Sequence, residues 1–122
     1  GIDINGGTVN LLDTLTASGI NVAAGATLNA ANQAVLVSSE LKFGNAAALT
    51  NPGTFTLSGG AVTTNGAQFQ DVVVTDTVPF TDFTTINGNY TQSAGTVLGV
   101  GGFSVTGTTT FSLLFALSMY SN

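Results

Sequence analysis

Apolar residues recur along this chain in short alternating runs, mostly three to five positions long, separated by corners of Gly, Asn, Ser and Pro. Alternation of this length predicts half-buried strands, and the corner residues supply tight turns. The stretch Leu49 to Thr64 sets the theme. Its runs Phe55-Thr56-Leu57 and Ala61-Val62-Thr63 lie between the corners Asn51-Pro52-Gly53 and Ser58-Gly59-Gly60. Looser versions precede and follow it: Ile2 to Leu12 around Asn5-Gly6-Gly7, Ile20 with Val22, Val35-Leu36-Val37, Leu41 with Phe43, and Asp71 to Thr75. Residues 29 to 34, NAANQA, tolerate helix but are too few to hold one alone, so they are expected to form a wider loop.

The runs repeat at a countable spacing. Ile20 and Val22 precede Leu41 and Phe43 by 21 residues, Leu28 precedes Leu49 by 21, and Val35/Val37 precede Phe55/Leu57 by 20. A period near 20 residues belongs to solenoids, and 122 residues then make about six coils. At ~4.8 Å per coil the column is about 25–30 Å long. The segment from Asp71 to Pro79 is expected to break strict register. Pro79 lacks the donor a ladder needs, which predicts a corner, an edge or an inserted loop there. The fold expectation is therefore all-β: one domain, residues 1–122, forming a parallel β-solenoid. A β-sandwich or jelly roll is the alternative, although it calls for longer strands and hairpin signals.

Composition narrows the function classes. Hydrophobic residues make up 43% and charged residues 6%, which argues against disorder, and 16 Gly with abundant Thr suit turns and pleated strands. Six acids (Asp3, Asp13, Glu40, Asp71, Asp76 and Asp82) face one cation, Lys42, for a net charge of −5. Nucleic acid and anionic membrane surfaces need Lys or Arg, so neither is an expected partner. No cysteine is present for a disulfide or a thiolate metal site. A chain that starts at Gly1 without Met is expected to be a mature, processed or excised piece.

Chemistry is sparse. Without His, Cys or Arg the usual nucleophile, base and oxyanion-clamp sets have no members, so no enzyme and no cofactor is expected. Lys42 stands two residues from Glu40, the spacing of a surface pair on one strand face. Asp71, Asp76 and Asp82 are the nearest thing to a carboxylate cluster. Within one coil they point apart, which does not give two-carboxylate glycosidase geometry. They belong to no calcium-loop repeat and read as solvated acids. The threonine pairs Thr14/Thr16, Thr54/Thr56 and Thr75/Thr77 raise the pattern of a flat ice-binding ladder, with Thr54 and Thr75 about one coil apart. The pairs do not continue in strict register, and Thr is a strand favourite, so strand propensity accounts for them. Asn89-Tyr90-Thr91 has the N-glycan acceptor spacing and reads as part of the repeat.

Ile86 to Val100, INGNYTQSAGTVLGV, followed by Phe103 to Phe111, resembles the strand-turn units of bacterial autotransporter passengers and filamentous-haemagglutinin-like adhesins. The matching positions are Gly88, Asn89, Tyr90, Gln92, Gly95, Thr96, Val105, Gly107 and Phe111, and residues 51–66 resemble the same families' N-x-G-T-x-x-L-x-G-G-x-V unit. The resemblance covers about half the chain. It implies a right-handed parallel β-helix located extracellularly or on the cell surface, with glycan or matrix contacts among its partners. Those passengers are several-fold longer, so the chain is either a fragment or a small protein that reaches length by assembling.

The end segments point to assembly. Residues 111–122 are nearly continuous apolar sequence, too short to span a bilayer as a helix and expected to cap the core or pack into a neighbouring subunit. Solenoid ends expose unpaired backbone unless capped, and here neither Pro lies near a terminus. The expected self-association residues are Ile2, Ile4, Leu113, Leu114, Phe115, Leu117, Met119 and Tyr120. The expected function is a homopolymeric structural subunit of an extracellular filament or surface fibre, joined head to tail. The alternative is a binding module within a secreted adhesin passenger.

Overall fold

The structure, a computed structural model, describes residues 1–112 as a stack of six coils, each carrying three short parallel strands. Coil one is β1 (Ile2–Ile4), β2 (Gly7–Asn10) and β3 (Leu15–Ala17), and coil two is β4 (Ile20–Val22), β5 (Ala26–Asn29) and β6 (Val35–Val37). Coil three is β7 (Leu41–Phe43), a 3₁₀ turn (Ala46–Ala48), β8 (Leu49–Thr50) and β9 (Thr54–Leu57). Coil four is β10 (Val62–Thr63), β11 (Gln68–Phe69) and β12 (Asp71–Val74). Coil five is β13 (Val78–Phe80), β14 (Thr84–Ile86) and β15 (Tyr90–Gln92), and coil six is β16 (Val97–Gly99), β17 (Phe103–Val105) and β18 (Thr109–Phe111).

The coils stack into three walls. The first wall runs β1-β4-β7-β10-β13-β16 and the third runs β3-β6-β9-β12-β15-β18, each unbroken over six strands. The second wall is two sheets, β2-β5-β8 and β11-β14-β17, with no pairing between β8 and β11. Every pairing is parallel, which selects the solenoid over the sandwich.

Residues one position apart face opposite ways on a strand, and the burial follows that rule. Val35 and Val37 are buried around exposed Leu36, and Phe55 and Leu57 around half-buried Thr56. The buried members form one continuous core from Ile4 to Tyr90. Corners close tightly where a residue takes positive φ: Asn32, Asn51 and Asn65 tolerate it, and Gly60, at φ 73°, also has backbone of Ser39 and Glu40 where a Cβ would sit.

Several sequence expectations held and others need correction. Ile20 pairs with Leu41, Leu28 with Leu49 and Val35 with Phe55, at the spacings counted above. Residues 30–34 are an irregular corner, with Asn29 closing β5. A coil has three strands, where the Leu49–Thr64 stretch suggested two. The third is short enough (two residues in β8, β10 and β11) to hide between corner residues.

The segment from Asp71 to Pro79 does not leave the stack. Phe55 pairs with Val72 after 17 residues, so register continues with a shorter coil. Pro79 is also inside a strand, paired with Leu98 in an interior position of the first wall. Its missing N–H is tolerated because β10 starts only at Val62, which pairs with Phe80, and Pro79 therefore lies beyond the end of that neighbour.

Candidate functional site

The acids sit at separate places. Asp3 is on β1, Asp13 precedes β3, and Glu40 precedes β7, whose central Lys42 is exposed. Asp71 opens β12, and its Oδ1 accepts the Asn89 N–H at 2.8 Å. Asp76 lies at the next corner, where Oδ1 accepts the Thr77 N–H at 2.7 Å. Asp82, at the corner between β13 and β14, accepts the Thr64 N–H (2.9 Å) and the Thr64 hydroxyl (3.0 Å) on Oδ1, and the Asn65 N–H (2.7 Å) on Oδ2. Asn65 in turn donates to the Phe43 carbonyl at 2.8 Å. These carboxylates fasten one coil to the next, replacing backbone bonds where the chain turns. Among the described residues no three metal-binding side chains come together, and no helix is long and apolar enough to cross a membrane.

Buried polar chemistry is confined to the core of the later coils. The Tyr90 hydroxyl donates to Gln92 Oε1, and Gln92 Nε2 donates to the carbonyls of Asp76 (2.9 Å) and Ala94. Burial raises the Tyr90 hydroxyl well above the usual tyrosine value. Every polar atom of this group is engaged inside the stack, which makes it a core fastener.

Two surfaces remain. The first is the open face of coil one. Its strands β1, β2 and β3 are each the terminal member of a wall, so each carries one unpaired edge. Ile2, Leu11, Leu15 and Ala17 pack only partly against the core, while Val9 is 42% exposed and Leu12 93%. Of the residues expected to self-associate, Ile2 lies half-buried on this face and Ile4 is buried against coil two. Leu113, Leu114, Phe115, Leu117, Met119 and Tyr120 lie outside the described residues.

The second surface is the outer side of the third wall. Pairing aligns Thr16, Leu36, Thr56, Val73, Thr91 and Thr110 in one outward column. A second column follows two residues along: Ser18, Ser38, Ser58, Thr75, Ser93 and Ser112. Its register is fixed by N–H donation from Ser38 to Ala17, Ser58 to Val37, Thr75 to Leu57, Ser93 to Val74 and Ser112 to Gln92. An open groove of about 440 Å³ runs between them, lined by Thr16, Ser18, Leu36, Ser38, Thr56 and Ser58 among others.

The threonine pairs noted in the sequence are thus regrouped. Thr54 stands beside Asp71, and Thr75 aligns with Ser58, because the coil between β9 and β12 is 17 residues and not 21. The signal that locates the true array is the unit Thr-x-Ser, present at Thr16, Thr56, Thr91 and Thr110, with Leu36-x-Ser38 and Val73-x-Thr75 filling the gaps. Its uneven spacing hides it from a count at fixed period.

Comparison with protein-family models, with curated proteins and with solved structures returned no match.

Proposed function

We propose that the protein is a structural subunit of an extracellular filament or cell-surface fibre, joined head to tail through the ends of its solenoid. The observation that carries this reading is the open face of coil one: three unpaired strand edges surround partly covered Ile2, Leu11 and Leu15, with Leu12 in solvent. Backbone edges of this kind pair with another strand when one is presented, and a parallel coil end fits a coil end. A head-to-tail contact that does not close on itself yields a fibre. The low charge of the chain removes the repulsion that keeps ordinary edges apart.

The second reading is a binding segment of an adhesin passenger, supported by the resemblance over residues 86–111. In that case the open coil abuts further coils of the same longer chain. Negative-stain microscopy of the purified chain separates the two: fibres one solenoid wide support the filament, and monomers persisting at high concentration overturn it. Deletion of residues 113–122 is expected to abolish fibres while leaving the strand signature in circular dichroism. Loss of that signature instead assigns the segment to the core.

A further inference from the structure

We propose that the outer side of the third wall binds the surface of ice. This inference stands independently of filament assembly, since it concerns the flank of the stack and not its ends.

The wall presents two parallel columns of short side chains, one member of each per coil. Stacked strands set about 4.8 Å between neighbours within a column, and two residues along a strand set about 6.6 Å between columns. The result is a ruled array of hydroxyls and methyls: Thr16, Thr56, Thr91 and Thr110 with Leu36 and Val73 in one column, and five Ser with Thr75 in the other. Ice repeats its oxygen positions over distances of the same order. The array is also held in step. The Ser58 and Ser93 hydroxyls lean on the Val37 and Val74 carbonyls of the preceding coil at 3.4 and 3.3 Å, fixing the side chains while their oxygens keep lone pairs to accept from water. Because the side chains ride on paired strands, little ordering remains to oppose binding.

Charge selects the occupant. Asp3, Asp13, Glu40, Lys42, Asp76 and Asp82 all lie off these two columns, on the first wall or at corners. Asp71 stands at the wall's margin with its Oδ1 engaged by the Asn89 N–H. An ionic solid or a polyanion finds no complementary charge here. Sugar rings stack on aromatic faces, and the columns contain none: Phe43, Phe55, Phe69, Phe80 and Tyr90 point into the core, and exposed Phe83 lies at another corner. A flat, neutral, regularly spaced array of donors, acceptors and methyls complements a flat, neutral, regularly spaced lattice of water.

The test uses the full chain and follows ice growth by nanolitre osmometry and by recrystallisation of ice grains. The wild-type protein is expected to shape ice crystals and slow recrystallisation. Thr56→Lys and Thr91→Lys, placing a long cation mid-wall, are expected to lose both effects, while Thr85→Lys on β14 of the second wall keeps them. Circular dichroism checks that each variant is folded. If a lysine variant fails that check, Thr56→Ser, which removes one methyl from the array, is read in its place and is expected to lower the activity. Ice growth unaffected by the wild type overturns the proposal. So does equal loss in Thr85→Lys, or retention on crystalline cellulose or chitin without any effect on ice.

Discussion

The first two coils and the last two solve the same packing problem with different residues. Coil two fills its interior with Ile20, Val22, Ala26, Leu28, Ala30, Val35 and Val37, all aliphatic. Coil five does it with fewer, larger groups: Val78, Phe80, Thr84, Ile86, Tyr90 and Gln92. Larger side chains fill the cross-section with fewer residues, and the repeat shortens accordingly, from 20 between Val35 and Phe55 to 18 between Val72 and Tyr90. The change is made between coils three and four, where β8 and β11 fail to pair. There the rings of Phe43, Phe55 and Phe69 meet edge to face, with centroids 5.1–6.4 Å apart, behind the interrupted wall. Aromatic packing and the bond from Asn65 to the Phe43 carbonyl take over where the ladder stops. A solenoid thus tolerates a change of coil size when the core bridges the joint.

Substitutions can break that bridge. Phe55→Ala is expected to cost about 3–5 kcal/mol in denaturant unfolding, because a completely buried ring at the joint leaves a cavity between two differently sized halves. Ile20→Val in the aliphatic half is expected to cost only about 0.5–1.5 kcal/mol. Equal costs would show that the joint carries no special weight.

Asp82→Ala comes next. It strips the partner from the N–H and hydroxyl of fully buried Thr64, an expected loss of about 1–3 kcal/mol by thermal or chemical unfolding. Gly6→Ala, where nothing lies within 4 Å of the new methyl, is the matched control and is expected to stay within about 0.5 kcal/mol.

The halves also differ in their response to base. Burial raises the Tyr90 hydroxyl, so the folded chain keeps it protonated after the unfolded chain has released its proton. Its contribution is whole below the ordinary tyrosine value of 10.0 and declines as pH rises past it. Stability measured against pH is expected to fall there in the wild type and to fall less steeply in Tyr90→Phe. Parallel curves would refute the buried-hydroxyl account.

The smallest effect on folding is expected at the open end. Leu12→Ser should change stability by no more than about 0.5 kcal/mol, since Leu12 lies almost wholly in solvent, yet weaken association in a sedimentation concentration series.

Much of this architecture was legible in the sequence. The pairs Ile20 with Leu41, Leu28 with Leu49 and Val35 with Phe55 could be counted because early coils share a length and mark their inward positions with aliphatic residues. The count failed at Thr75, placed with Thr54, because coil four is shorter and nothing apolar announces which residues were dropped. Pro79 misled for a related reason: whether proline interrupts a ladder depends on where the neighbouring strand begins, which its own sequence does not state. The Thr-x-Ser columns were overlooked because a pair of short polar residues reads as ordinary strand until pairing shows that every coil repeats it. The open face of coil one was foreseen in part, with Ile2 placed on it and Leu12 overlooked, because a lone Leu beside a corner resembles any other apolar residue.

Diffraction from oriented fibres of the purified chain tests the central claim most directly. Coils stacked head to tail place their strands across the fibre, so the account expects a reflection near 4.8 Å along the fibre axis. A chain that forms no fibres, or fibres whose spacing near 4.8 Å lies perpendicular to the axis, would contradict it.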